Sequence, residues 1–458
     1  MFIRPYCLPL FLGAFVALCI TKSAHGQTLE EALGIAYKGN PTLLAKRAEL
    51  RATDEGVPQA ISEWRPSLTA ASSGGRTENT SSSRTESKSN FNPHSASVTL
   101  SQSLYSGGKT TAAIGSAENT VLAGRAALLG VEQRVLMDAV KAYVNVYRSL
   151  AVLDLRINNE AVLKRQLEAT TDRFEVGEIT RTDVYQAQAR LAKTTADRIQ
   201  AEGDLVTSRA TYQNVIGEAP VSLNSPTMEL NLPSSGEETI KLALAQNPDV
   251  TSAEFNERAS QNNINKVKGE LLPSLDLSGT ASRSLNASGL KTSLETYSAK
   301  VTLSVPLYKS GSVYSRLRSA RQTASKRLRE IDAARRNATE TATRAWQTLQ
   351  TSRARIVSIN VQIRASEVAL EGVQREASVG SRTVLDVLDA EQELLDAKVS
   401  IVTAQRDETI ARFELKSAIG EMTATQLALP VAAYNSLQHY NDVRLKLFGG
   451  SIGKTKQN

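Results

Sequence analysis

The sequence predicts a protein of mixed α and β structure, in which long coiled-coil helices dominate and short β-strands lie between them. The sequence contains no proline from His94 to Ala219 or from Leu307 to Leu429, which leaves room for very long helices. Apolar residues recur every seven positions within these stretches, which indicates coiled-coil packing. Outside them, short segments alternate apolar residues with Ser or Thr, which is the pattern of β-strands.

Residues 1–26 have the layout of a secretory signal peptide. A basic start precedes an apolar stretch from Leu8 to Ile20, and small residues follow it, so cleavage is expected before Gln27. An uncleaved anchor and a lipoprotein modified at Cys19 are the alternatives. Because Cys7 and Cys19 both lie in this segment, the exported chain would contain no disulfide and would depend on packing or oligomerisation.

The composition argues against several classes of function. The 458 residues include 54 Lys or Arg, 47 Asp or Glu and three His, which gives a net charge of +7. A small positive charge on so long a chain does not indicate a nucleic-acid-binding protein. Because His and Cys are scarce and neither a Walker loop nor a nucleophile elbow occurs, we expect no cofactor, no metal and no enzymatic activity.

The chain after residue 26 consists of one unit present twice. The segment Glu63–Leu68 recurs as Glu270–Leu275 at an offset of 207, and Ile216–Glu218 recurs as Ile419–Glu421 at an offset of 203. Each repeat is expected to contain a helix, two strands, a long helix and a shorter helix. The predicted segments are a first repeat at 27–219, an equatorial segment at 220–237, a second repeat at 238–429, and a C-terminal equatorial segment and tail at 430–458.

The first long helix is predicted from about Lys109 to Phe174. Its heptad row contains Leu122, Leu129, Leu136, Tyr143, Leu150 and Ile157. At ~1.5 Å per residue, a helix of about 65 residues spans about 100 Å. Since no globular domain of this size needs such a helix, the sequence indicates a rod, a spanning device or the wall of a tube.

The strands are predicted at 66–74, 96–105, 273–281 and 297–308. Each has one apolar face and one Ser/Thr face, which is typical of outer-membrane strands that face lipid and lumen by turns. The polar segment from Ser72 to Asn92 is expected to be a loop. Surface hairpins alternate as well, but two strand pairs at equivalent positions of an exported chain favour the membrane interpretation.

Four strands cannot close a barrel, and an open sheet edge is not viable in lipid. Several copies of the chain must therefore contribute strands to one barrel. Two copies would give eight strands and a filled interior, whereas three would give twelve and begin to leave an aqueous lumen. A conducting function would favour three copies.

Four segments resemble the TolC family of outer-membrane efflux proteins. They are the helical tips Phe174–Val184 and Ser378–Ala390 and the strand-to-helix segments Leu104–Gly108 and Val305–Gly311. The resemblance implies a homotrimer with a twelve-stranded barrel in the outer membrane of a Gram-negative bacterium, continued by a tunnel of helices across the periplasm. Such a duct passively serves an inner-membrane pump or ABC transporter through a periplasmic adaptor protein, in efflux or type I secretion.

The resemblance also implies roles for two acids at the second tip. Asp386 and Asp389 match carboxylates that ring the narrowest point of the periplasmic entrance. Six such groups in a trimer would favour cations and raise some carboxylate pKa values by mutual repulsion. The alternative is that both are ordinary solvent-facing acids at a helix start, where the helix dipole favours them.

A clasp between the tips is implied in the same way. Arg382 matches an arginine that holds the inner helix pair to the outer pair through partners equivalent to Thr182 and Asp183. Ala377 stands where the family often has a tyrosine, so we expect fewer bonds to hold the closed state. An ordinary surface ion pair is the alternative.

Two further groups of residues are expected at the ends of the tube. Val176, Gly177, Val379 and Gly380 form the helix-to-helix turns, where left-handed helix caps are the simple interpretation and adaptor docking is the functional one. At the other end, an aromatic belt against outer-membrane lipid is expected, or else packing at the helix–strand junction. Its members would be Trp64, Tyr105 and Tyr308.

A periplasmic coiled-coil adaptor or scaffold protein is the main alternative to a channel. Such a protein would also be exported, duplicated and rich in heptads. Adaptors usually carry one helical hairpin flanked by compact β-domains, whereas this sequence predicts two hairpins and isolated strand pairs.

Overall fold

The structure is a computed structural model that describes residues 26–82, 86–287 and 292–450. The predicted signal peptide, apart from Gly26, lies outside the described residues, and so does the end of the tail from residue 451. The helices are α1 (Leu29–Gly39), α2 (Pro41–Asp54), α3 (Gly56–Ser62), α4 (Lys109–Glu175), α5 (Arg181–Ile216), α6 (Gly236–Gln246), α7 (Pro248–Gly269), α8 (Ser312–Ser378), α9 (Val384–Ala418) and α10 (Gln438–Val443). The strands are β1 (Ser67–Gly74), β2 (Thr77–Ser82), β3 (Glu86–Phe91), β4 (His94–Tyr105), β5 (Ser274–Leu285) and β6 (Ser293–Ser304).

Two long helical hairpins dominate the fold. Helices α4 and α8 contain 67 residues each, which corresponds to about 100 Å. Each packs against the shorter helix that follows it, α5 with 36 residues and α9 with 35. Contacts of α4 with α7 and α9 join the two hairpins into one body. Among the described residues, no helix combines the length and apolar character needed to cross a bilayer.

The same local chemistry starts equivalent helices in both repeats. Asn40 accepts hydrogen bonds from the backbone N–H groups at the start of α2, and Asn247 does so at the start of α7. Pro41 and Pro248 follow, at the first helical position, where a missing N–H costs nothing. The duplication seen in the sequence is therefore also a duplication of helix starts.

The four-stranded sheet joins the two repeats, with strand order β1-β4-β5-β6 and antiparallel pairing throughout. Residues that are paired across neighbouring strands point their side chains to the same face of the sheet, so the pairing shows the composition of each face. One row contains Leu68, Leu100, Gly279 and Ala299. The next row contains Thr69, Thr99, Thr280 and Ser298. The sheet therefore has an apolar face and a hydroxyl-rich face, and within one chain β1 and β6 are its open edges.

Two details differ from the sequence prediction. The segment expected as a loop contains the hairpin of β2 and β3, whose Ser, Thr and Asn residues pair without an apolar alternation that could reveal them. Strand β6 ends at Ser304, so Tyr308 lies beyond the strand rather than at its end. Pro306 explains this end, because proline cannot donate a ladder hydrogen bond.

The largest buried core lies around the middle of α4. It combines α1, α2 and the middle of α4 with the ends of α5 and α9 and with residues 422–429. The hydroxyl oxygen of Tyr143 lies 2.7 Å from the carbonyl oxygen of Gln27 and 2.8 Å from that of Asn224. These contacts hold Gln27 and the equatorial segment against α4.

Candidate functional site at the helical tips

The two helical hairpins end in turns of the same construction. Gly177 and Gly380 adopt φ angles of 81° and 78°, a left-handed conformation that only glycine adopts readily. An added Cβ would meet nothing within 4 Å at either position. Glycine is therefore needed here for its backbone conformation rather than for space. The adjoining Val176 and Val379 are strongly exposed, so all four turn residues are accessible to a partner.

Matching capping boxes follow the two turns. The Asp183 carboxylate accepts a hydrogen bond from the backbone N–H of Thr180 at 2.9 Å, and Asp386 accepts the equivalent bond from Thr383, also at 2.9 Å. Each threonine hydroxyl accepts a bond from the backbone N–H of its aspartate in return. This reciprocal arrangement fixes the first turns of α5 and α9.

The role of Asp386 follows from this cap. Hydrogen bonds from Thr383, and secondarily the charge of Arg382, hold the pKa of Asp386 below its usual range. Within one chain the shift is thus opposite to the rise expected from mutual repulsion. The carboxylate stays ionised, and it caps the start of α9.

The predicted clasp of Arg382 with Thr182 and Asp183 is not formed within one chain. Arg382 Nε instead donates a hydrogen bond to the carboxylate of Glu376 at 2.9 Å, in the last turn of α8. Asp183 is occupied by its own capping box. Arg382 therefore stabilises the turn between α8 and α9. We call the hairpin of α8 and α9 the inner hairpin and that of α4 and α5 the outer hairpin, after the helix pairs that they match in the family.

A different ion pair joins the two hairpins. Arg190 of α5 donates a hydrogen bond to the carboxylate of Asp389 on α9. These residues are 199 positions apart in sequence, and no local pattern predicts their contact. Asp389, which the resemblance assigned to the entrance ring, is therefore engaged by the outer hairpin in this structure.

A small apolar cluster lies beside this ion pair. Leu163 of α4 and Ala187 of α5 pack against Val384 and Leu388 of α9, and all four are buried. We call these four residues the tip cluster. Separation of the inner hairpin from the outer one would expose them to water, at a cost of about 1.5–3 kcal/mol for each large side chain. The cluster therefore holds the tips together more strongly than one exposed ion pair of about 0–1 kcal/mol.

Glu391 lies one turn beyond the tip cluster on α9. Its side chain is buried, and its Oε2 atom has no hydrogen-bond partner in the described residues. Burial raises the pKa of Glu391, and the nearby amide of Gln374 offsets part of that rise. The inner hairpin thus carries a carboxylate whose charged form is poorly solvated.

The expected aromatic residues lie at the opposite end of the molecule, beside the four-stranded sheet. Trp64 lies three residues before β1, and its carbonyl oxygen accepts a hydrogen bond from Gln102 Nε2 at 3.3 Å. Tyr105 is the last residue of β4, and Tyr308 lies four residues after β6. The antiparallel register puts the start of β1 and the ends of β4 and β6 at the same end of the sheet. All three aromatic side chains are exposed there.

The profile of the family "Outer membrane efflux protein" matches residues 32–218 and 239–421. The first matched segment contains β1 to β4 with α4 and α5, and the second contains β5 and β6 with α8 and α9. They cover most of the chain, including both helical hairpins and the four-stranded sheet.

Individual relatives agree with this match. The chain is 33% identical to the outer membrane efflux protein BepC of Brucella suis over 429 residues, which is 93% of each chain. It is 27% identical to the outer membrane protein TolC of Vibrio cholerae over 427 residues, 91% of this chain and 95% of that one. The crystal structure of the Campylobacter jejuni outer membrane channel CmeC superposes with a TM-score of 0.78 at 17% identity, covering 92% and 90% of the two chains. The chain therefore belongs to the outer membrane efflux protein family and is an outer-membrane protein that extends into the periplasm.

Proposed function

We propose that the chain forms the outer-membrane exit duct of a tripartite efflux or type I secretion system. Three copies would each supply four strands and two helical hairpins to one tube. Substrates delivered from an inner-membrane translocase would pass through it to the outside. The duct itself would be passive, with no catalytic residue and no cofactor.

The two-faced sheet with open edges is the observation that carries this proposal. Leu68 and Leu100 lie on the apolar face, whereas Thr69 and Thr99 lie on the hydroxyl-rich face. Strands β4, β5 and β6 contain twelve residues each. At ~3.3 Å per residue and a tilt of ~45°, twelve residues rise about 28 Å, close to the bilayer core. Pairing β1 of one copy with β6 of the next would remove the open edges.

The tips support the proposed docking of a periplasmic adaptor. The exposed Val176 and Val379, next to Gly177 and Gly380, offer two similar turns per chain. Three copies would present six such turns in a ring. An adaptor with helical hairpins could contact alternating turns, and through it the duct would reach an inner-membrane pump or ABC transporter.

The entrance is proposed to open when the inner hairpin moves away from the outer one. Within each chain, this movement must break the contact of Arg190 with Asp389 and divide the tip cluster. The Asp386 and Asp389 carboxylates of the three copies are proposed to ring the narrowest point of this entrance and to favour cations. We propose that Arg382 pairs with Asp183 or Thr182 of a neighbouring copy in the closed state.

Deletion of the gene in its native host tests the proposed function. We expect the deletion strain to accumulate a fluorescent efflux substrate such as ethidium, or to lose secretion of a type I substrate, because the exit path is gone. Complementation with the intact gene should restore the phenotype. Unchanged dye accumulation together with unchanged protein secretion would show that the chain is not an exit duct.

A further inference from the structure

The C-terminal segment runs along α2 and α4 towards the sheet. His439 Nδ1 lies 3.1 Å from the carboxylate of Asp54, at the end of α2. Further on, Arg444 donates a hydrogen bond to Glu118 at 2.8 Å. The carbonyl oxygen of Lys446 then accepts a bond from Arg65 at 2.9 Å. Successive contacts thus approach the start of β1.

These contacts fix the direction of the segment. Arg65 lies only two residues before β1, which starts at Ser67. The ring of Tyr440 also packs under the guanidinium of Arg125, 4.9 Å from the ring centroid. Because contacts on α2 and α4 hold α10 in place, the residues that follow Val443 must lie near the helix–strand junction.

Three apolar side chains at this position are largely exposed within the part of the chain that the structure describes. Leu445, Leu447 and Phe448 are 73%, 66% and 88% exposed. We call these three residues the C-terminal apolar patch. In the sequence, Leu445 lies between Arg444 and Lys446, and Leu447 and Phe448 follow Lys446. Water-exposed leucine and phenylalanine at this density are unfavourable, so a partner is expected to cover them.

We infer that the C-terminal apolar patch inserts into the periplasmic leaflet of the outer membrane and anchors the tube there. The junction at Arg65 lies directly below the sheet, and the apolar face of that sheet begins at Leu68. The patch therefore lies next to the end of the sheet at which the apolar face begins. Exposed leucine and phenylalanine side chains at this level match the acyl-chain side of the membrane interface.

A site-directed label tests this placement in the intact protein. Both native cysteines, Cys7 and Cys19, lie in the predicted signal peptide, so Phe448→Cys supplies a single labelling site in the exported chain. Gln438→Cys, exposed at the start of α10, is the matched control. Each variant would carry an environment-sensitive fluorophore and be reconstituted in nanodiscs of phosphatidylethanolamine and phosphatidylglycerol.

We expect lipids with a nitroxide near the headgroup to quench the label at position 448 at least twofold more than the label at 438. Aqueous iodide should show the reverse order. If iodide quenches both labels equally, the patch faces water and the inference is wrong. If neither quencher reaches position 448, a neighbouring protein copy covers the patch, and this outcome also overturns lipid insertion.

Discussion

At the scale of single residues, the inner hairpin contains a buried carboxylate, that of Glu391, whose ionised form is poorly solvated. Glu391 is buried with one carboxylate oxygen unpaired in the described residues, and burial raises its pKa. A carboxyl group with a raised pKa in the folded state stabilises the fold fully only below its unfolded pKa. That stability is lost as the pH rises through the folded pKa. The ionised form therefore weakens the inner hairpin at neutral pH.

Replacement of Glu391 by glutamine should remove this pH dependence. We expect Glu391→Gln to unfold at a higher temperature than the native protein at pH 7–8, because no charge has to be buried. The difference should shrink as the pH falls towards 4. Thermal unfolding followed by circular dichroism at several pH values measures this. The exposed Glu393→Gln is the control and should have little effect at any pH.

At the scale of elements, the tip cluster sets how firmly the two hairpins are joined. Leu388 is only 2% exposed, whereas Leu385, one turn earlier on α9, is 39% exposed. We expect Leu388→Ala to weaken the contact by about 2 kcal/mol, because a buried leucine is removed. Channels in planar bilayers should then open more often and conduct more.

Leu385→Ala is the matched control for this variant, and it should leave the conductance near the native value. Equal behaviour of the two variants would show that the tip cluster does not restrain the entrance. Arg190→Ala should have a smaller effect than Leu388→Ala, since an exposed ion pair contributes about 0–1 kcal/mol.

The turn between α8 and α9 needs glycine for its left-handed backbone conformation, whereas a glycine inside a helix is unfavourable. Two substitutions to alanine distinguish these effects. Gly380→Ala should destabilise the hairpin by about 1–2 kcal/mol, because alanine is strained at a φ of 78°. Gly372, inside α8, also has open space around it but an ordinary helical conformation. Gly372→Ala should stabilise the protein by about 0.5–1 kcal/mol. Chemical unfolding of both variants checks the opposite signs.

The elements of this fold differ in how far the sequence reveals them. The long helices follow from proline-free heptad stretches, and the sheet follows from its alternation of apolar and hydroxyl residues. The hairpin of β2 and β3 carries no such alternation, so its residues resemble a loop. The contact between Arg190 and Asp389 could not be predicted either, because it depends on how two separate hairpins pack.

At the scale of the whole molecule, the duplication explains why one chain supplies two similar tips and one two-faced sheet. Family membership and the outer-membrane location exclude the alternative of a periplasmic adaptor. The polar composition suits a tube, since its wall needs alternation and heptads more than a large apolar core. The proposed duct requires that copies of the chain assemble into one open path.

Single-channel recording of the purified protein in planar bilayers tests this most directly. We expect stable, stepwise conductance from an oligomer of three chains, with a preference for cations and a low conductance in the native closed state. The Leu388→Ala variant should give larger or longer openings in the same membranes. A protein that inserts as a trimer but passes no ions, in both native and Leu388→Ala forms, would contradict the proposed duct.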